Sequence, residues 1–301
     1  MSIGGIGQPA NSPISRSAMM NATSIAIMNR DPDYARILQD PYAQWFAAAI
    51  SAEAGATIAA LSDPRAVREY IAALEAQNGK PGICTHHVYR KPWVRRHVLA
   101  ALDAGIEQIV VFGAGLDTLS LRLADRIGTR RVFEIDTPEV IAYRGACIDA
   151  NGRLPPNVTL LPIDFEREAW RDRLQGAGYE AGARTLFLSE GVMEWLPEEA
   201  VLDMFGFVRE RAARPSRFIF SFMPPWTISA RSLAHIRADN ASSGEVFRFT
   251  IEPAGIDAFL ARQGLRRIDF ADPAAFQADV AAAGVPASVL DFLHFVCAQT
   301  G

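Results

Sequence analysis

Cysteine is scarce in this 301-residue chain. Cys84, Cys147 and Cys297 are odd in number, far apart and never in a Cys-x-x-Cys pair, which argues against a disulfide framework and a structural zinc site. Of the five histidines, His86 and His87 are adjacent, so they cannot share a helix face, and no further ligand type stands at metal spacing nearby. No Gly-x-Ser-x-Gly elbow is present, which argues against a hydrolase triad built on that turn. Charge of one sign is not in excess: 30 Lys and Arg against 34 Asp and Glu leave a net charge of -4, with no global field to recruit nucleic acid or an anionic membrane. No apolar run approaches the ~20 residues of a membrane-spanning helix. The Gly-rich opening, Met1 to Gln8, lacks the basic-then-apolar order of a signal peptide. These absences predict a protein of the reducing cytoplasm that works on small molecules. Nothing in them sets an oligomeric state.

Half of the chain is hydrophobic, enough for a large core, and its prolines and glycines are scattered rather than gathered into a linker. Residues 1–105 carry Ala-rich runs at helical spacing, Tyr42 to Ala60 and Val67 to Ala76, punctuated by Asp31-Pro32, Asp40-Pro41 and Asp63-Pro64. Each of those pairs reads as a helix start, with Asp as cap and Pro in the first turn. From residue 106 short apolar runs alternate with amphipathic segments, which predicts a doubly wound, mostly parallel α/β sheet. Strands are expected at Gln108 to Phe112, Arg131 to Ile135, Val158 to Ile163, Thr185 to Ser189 and Arg217 to Phe222. Arg266 to Phe270 and Phe292 to Ala298 would close the sheet. Helices are expected near Thr118 to Ile127, Pro138 to Ala150, Arg167 to Leu174, Glu198 to Ala212 and Gly255 to Gln263. The chain thus reads as a helical extension, 1–105, followed by a nucleotide-type fold, 106–301. The irregular stretch Thr227 to Glu245 is either a lid, extending to about residue 249, or a surface loop.

The chemistry starts at Ile109-Val110-Val111-Phe112-Gly113-Ala114-Gly115-Leu116-Asp117-Thr118, an apolar strand entering a Gly-x-Gly turn and then a helix. Gly113 and Gly115 let backbone approach a ligand, and strand carboxyl ends are where nucleotides bind in such a sheet. Two features depart from the dinucleotide fingerprint. Thr118 replaces its third glycine, and Asp117 sits where a pyrophosphate would meet the helix N-terminus. That pattern favours an adenosine ligand without phosphate, such as S-adenosylmethionine, over a nicotinamide dinucleotide.

Later strand ends add acids. Phe133-Glu134-Ile135-Asp136 places carboxylates where ribose hydroxyls would lie, although Asp136 before Thr137-Pro138 is equally a helix cap. Spacing leaves open which of Glu134 and Asp136 binds and which caps. Asp164 and Phe165 could meet an adenine by hydrogen bond and ring contact, or could be a helix start and a core ring. Glu190 interrupts an apolar run, Leu188 to Leu196, at the mouth of the same crevice.

These motifs, in this order, resemble the leucine carboxyl methyltransferase family, including its bacterial members and the tetracenomycin-type polyketide carboxyl O-methyltransferases. The resemblance extends over nearly the whole chain: Ser15 to Ala18, Asp40 to Ala43, Gly113 to Leu123, Phe133 to Arg144, Glu190 to Leu196, Gly244 to Phe249, and Gly264-Leu265 with the final apolar strand. It implies a class I Rossmann-like fold, S-adenosylmethionine as donor, and donor contacts from Gly113, Gly115, Asp136, Asp164, Phe165 and Glu190. The arginine that holds the donor's carboxylate matches Arg90, in Tyr89-Arg90-Lys91-Pro92, where the family more often has Arg-Thr-Arg. Leu119 stands where the family commonly has Arg. A solvated basic face made by Arg90, Lys91, Arg95 and Arg96 is the competing reading of that segment.

For the acceptor, the resemblance implies a carboxylate of a small molecule or peptide. Such a group is ionised at neutral pH, so no catalytic acid or base is nominated. Trp195, Trp226 and Arg248 are candidates for an aromatic wall and an anion anchor. A nicotinamide-dependent oxidoreductase and a non-catalytic binding protein are the alternatives.

Overall fold

The computed structural model describes residues 14–50, 56, 58–61, 63–77, 80–165, 169–225, 247–285, 287–291 and 293–301. Trp226 and the stretch Thr227 to Glu245, the centre of the expected lid, lie outside the described residues.

Seven strands form one sheet: β1 Gln108–Phe112, β2 Arg131–Asp136, β3 Val158–Pro162, β4 Thr185–Ser189, β5 Arg217–Phe222, β6 Leu265–Ala271 and β7 His294–Thr300. Their order is β3-β2-β1-β4-β5-β7-β6. The pairs from β3 to β5 are parallel, while β7 inserts antiparallel between β5 and β6. The chain adds strands outward from β1 to β3 on one side and then from β4 on the other, so the order of connection reverses between the parallel neighbours β1 and β4. Ligands of doubly wound sheets settle in the crevice beyond the strand carboxyl ends at that reversal.

The buried strands are almost wholly apolar because both faces are covered. Alternation within β1 sends Ile109 to one core and Val110 and Phe112 to the other. The first core packs Val88, Val94 and Val98 of a long helix against Ile109, Leu186 and Ile219. The second is aromatic, with Phe112 stacked on Phe187 at 5.9 Å and Phe218 set edgewise to both at 6.2 Å.

Two front helices matter for the site. Helix α1, Arg16–Met28, starts where Ser15 Oγ accepts from the N–H of Ala18 at 3.1 Å. Helix α2, Ile83–Asp103, contains Pro92 and is buried along most of its first half. Asp-Pro pairs start helices as their chemistry predicts: Asp31 accepts from the N–H of Asp33 and Asp63 from that of Arg65. Asp40 also caps, accepting from Tyr42 and Ala43, but its helix begins at Ala43, past Pro41.

Three differences from the sequence reading exceed small shifts at element ends. The expected helix Thr118 to Ile127 is broken into Leu119–Arg122 and Ala124–Ile127, because Leu123 leaves helical geometry at φ -109° and ψ 15°. A helix at Pro273–Ala282 was not anticipated, although Asp272-Pro273 repeats the capping signal and Asp272 accepts from Ala275 N–H at 2.8 Å. The last strand begins at His294, and Phe292 lies outside the described residues. Among the described residues no helix is long and apolar enough to cross a membrane.

Candidate active site

A cavity of about 330 Å³ opens at the carboxyl ends of β1, β2 and β4. Its floor is the turn Gly113 to Asp117, with Glu134 and Asp136 on one side and Glu190 to Leu196 on the other. Helix α2 contributes Ile83, His87, Arg90 and Lys91, and the start of α1 contributes Ser15, Ser17, Ala18, Met20 and Asn21.

The glycine turn is built for close approach. Gly113 and Gly115 sit at φ +67° and +50°, a region that disfavours other side chains. A Cβ on Gly113 would stand 2.4 Å from Val192 Cγ2, so the loop after β4 presses directly on the turn.

Asp136 and Glu134 divide their roles clearly. Asp136 Oδ2 accepts from Gly115 N–H at 2.7 Å and Oδ1 from Thr137 N–H at 2.8 Å, so one carboxylate both caps a helix, Pro138–Asn151, and latches the glycine turn. Burial raises its pKa against those two bonds. Glu134 is held from behind. Arg144 donates to it through Nε at 2.7 Å and Nη2 at 2.8 Å, and Ser120 Oγ donates at 2.5 Å. Arg144 also reaches the carbonyls of Gly115 and Asp117, which fixes the turn that the ligand must meet.

Arg90 and Lys91 are 4% and 2% exposed, so these two do not belong to a solvated face; Arg95 and Arg96 alone of that segment are exposed. Arg90 Nε stands 2.8 Å from Glu190 Oε1, without the alignment of a hydrogen bond. Lys91 Nζ donates to Glu190 Oε1 at 2.5 Å and to Asp117 Oδ2. Burial opposes ionisation of Asp117, but Lys91 and Arg122 prevail and hold its carboxyl far below the usual range. The charge from which repulsion of phosphate was read in the sequence is therefore balanced in the fold by Lys91.

The other expected residues are placed as follows. Trp195 lines the cavity, stacked on Phe247 at 4.5 Å. Asp164 and Phe165 follow β3 beside the cavity rather than on its wall, and the Phe165 ring packs edgewise on Phe112 and Trp170 at 5.8 Å. Arg248 is exposed and off the wall, its backbone N–H donating to the carbonyl of Glu194 at 2.8 Å. Sequence reasoning passed over Lys91 as a wall residue, and also His87, Asn21 and Glu194. His87 is buried and held neutral by burial and by Arg90, with Nδ1 3.2 Å from Ser24 Oγ. Glu194 is 1% exposed with Oε2 unbonded, and burial pushes it up to about 7 against its own backbone N–H and Arg90. The one available signal was a second acid inside the apolar run Val192 to Leu196.

Comparison with known proteins agrees with this fold. A family protein of the DUF574 type from Streptomyces avermitilis has 14% identity and a TM-score of 0.55, over 78% of this chain and 91% of that one. A putative methyltransferase from Thermobifida fusca has 16% identity and a TM-score of 0.53, over 78% of this chain and 88% of that one. At such identities the likeness is one of fold. Residues 18–209, which span the glycine turn and the three strand ends of the site, match the leucine carboxyl methyltransferase family. The chain therefore belongs to the leucine carboxyl methyltransferase family and is an S-adenosylmethionine-dependent methyltransferase.

Proposed function

We propose that the protein is an O-methyltransferase that esterifies a carboxylate of a small molecule or peptide. The observation that carries the donor's placement is the buried pairing of Arg90 with Glu190 beside the glycine turn. An α-amino acid headgroup needs one cation and one anion side by side, and this pair supplies both. The residues fit the donor in a second respect: Arg90 Nε and Asn21 Oδ1 are buried on the cavity wall without hydrogen bonds, a demand that a polar ligand meets.

In this reading Arg90 grips the donor's carboxylate and Glu190 faces its ammonium group. Gly113 and Gly115 bring backbone against the adenosine, and Asp136 accepts from a ribose hydroxyl with its remaining lone pairs. Asp117 and Glu134 act through the turn they brace. Asp164 and Phe165 meet the adenine where it extends past Asp136 toward β3. Residues 1–105 cover the site as a helical extension of the 106–301 domain, consistent with the wall positions of Ala18, Asn21 and Ile83.

S-adenosylmethionine supplies an electrophilic methyl group on a sulfonium. What remains for the chain is to hold an ionised acceptor in line and exclude water, effects worth roughly 7–11 kcal/mol in well-oriented cases. The stacked Trp195 and Phe247 and the apolar Ile83, Leu290 and Leu293 form a wall suited to the acceptor's apolar body. The test is transfer of labelled methyl into an extract of the source cells, followed by mild base. Methanol release is expected from an ester; label that survives base overturns the carboxylate reading.

A further inference from the structure

Among the described acids of the cavity wall, Asp136 and Glu190 serve the proposed donor contacts and Asp117 and Glu134 brace the turn, which leaves Glu194 without either role. It is the middle residue of a short 3-10 turn, Met193–Trp195, that follows β4, and it lines the cavity together with the stacked Trp195 and Phe247. Its backbone is tied down, since Glu194 O accepts from Arg248 N–H at 2.8 Å. Its carboxyl is buried, yet Oε2 has no hydrogen-bond partner. A buried polar atom left unbonded costs about 1–3 kcal/mol, so it points to a ligand.

The surrounding charges decide which ligand. Arg90 faces Glu194 from α2, and Glu190 faces it from its own loop. Arg90 is already paired with Glu190, and Lys91, the next cation on α2, lies between Glu190 and Asp117. No cation is committed to Glu194 among the described charge pairs, so the neutral acid is the form this site favours. A neutral carboxyl can donate one hydrogen bond, and the complementary group is an anion. Bringing a second carboxylate close favours the proton further, so acceptor binding and protonation reinforce each other.

We propose that Glu194 recognises the acceptor: its protonated carboxyl donates a hydrogen bond to one oxygen of the acceptor carboxylate while the other oxygen takes the methyl group. This rests on the carboxylate reading above. The new bond is oxygen to methyl carbon, and the bond that breaks is methyl carbon to sulfur, whose electron pair returns to sulfur. No proton moves in that step; Glu194 keeps its own, so it selects the acceptor's charge and orientation rather than acting as a base.

The test uses the full chain saturated with S-adenosylhomocysteine, with 3-phenylpropanoate and 3-phenylpropylamine as probes matched to the aromatic wall. By calorimetry the wild type should bind 3-phenylpropanoate roughly tenfold more weakly at pH 8 than at pH 6. Glu194→Gln, which keeps a neutral donor, should bind it with no such pH dependence, and Glu194→Leu should lose it at both pH values. Retained S-adenosylhomocysteine binding shows that both variants are folded. Infrared difference spectra should show a protonated carboxyl C=O band in the wild type that is absent from Glu194→Gln and survives to higher pH with 3-phenylpropanoate bound. Three results overturn the proposal: binding of 3-phenylpropanoate that is flat with pH in the wild type, preference for the amine at pH 6, or binding of neither probe. The two readings fail separately. Base-stable label with pH-dependent 3-phenylpropanoate binding sinks the ester and leaves Glu194 as an anion-recognising acid; methanol release with pH-flat binding sinks the role of Glu194 alone.

Discussion

Arg144 holds Glu134 through two hydrogen bonds, Nε at 2.7 Å and Nη2 at 2.8 Å, with the arginine side chain wholly buried. This pair stands directly under the glycine turn and is its mechanical support. Breaking one side leaves a buried charge without compensation, which costs about 3–5 kcal/mol. Arg144→Met is therefore expected to lower unfolding free energy by that amount in urea titrations, and Arg144→Met with Glu134→Leu to recover most of it. Equal destabilisation in the single and double variants contradicts this role.

Arg90 should show its role in donor affinity. Arg90→Ala removes the guanidinium from a buried ion cluster, and a charge-assisted contact of this kind is worth about 1.5–3 kcal/mol. Affinity for S-adenosylhomocysteine is expected to fall roughly 10- to 100-fold in calorimetry, with Arg90→Lys intermediate because an ammonium cannot reproduce the planar fork. Unchanged affinity in Arg90→Ala removes this residue from the donor site.

Gly113→Ala meets two obstacles at once, φ at +67° and Val192 Cγ2 at 2.4 Å from the new Cβ. The expected cost is about 2–4 kcal/mol of stability with weakened donor binding. Adding Val192→Ala should restore only the part due to contact, because the backbone strain remains.

Stability should also depend on pH through Glu194. Its carboxyl titrates at about 7 in the fold against an ordinary 4.5, so the folded protein holds that proton more tightly than the unfolded chain does. The contribution is complete below pH 4.5 and is lost as pH rises through 7. Glu194→Gln cannot lose a proton, so it should gain about 3 kcal/mol on the wild type above pH 7 relative to their difference near pH 4. Parallel stability curves for the two proteins over that range contradict a buried, protonatable Glu194.

Much of this molecule was legible in its residues. The five parallel strands came from apolar runs that only a doubly covered sheet produces, and Gly113, Gly115, Asp136 and Glu190 came from their places at strand ends. Spacing could not divide Glu134 from Asp136, because both side chains leave the strand on the same face; only the approach of Arg144 from the helix ten residues on does so. Burial of Lys91 was equally hidden. A Lys beside Pro92 reads as surface, and what makes it interior is the meeting of Asp117 and Glu190, acids 73 residues apart, around its ammonium. Phe165 was ambiguous for a related reason: a ring suits an adenine and a core alike, and the structure sets it against Phe112 and Trp170.

The central claim is that the crevice between β1 and β4 holds the methyl donor, with Asp136 as both latch and ligand. Calorimetric titration of S-adenosylhomocysteine into the wild type and Asp136→Ala tests it most directly. Saturable one-to-one binding by the wild type, lost or weakened at least tenfold in a folded Asp136→Ala, is the expected result. A folded wild type that binds no S-adenosylhomocysteine, or an Asp136→Ala variant that binds it equally well, contradicts the account.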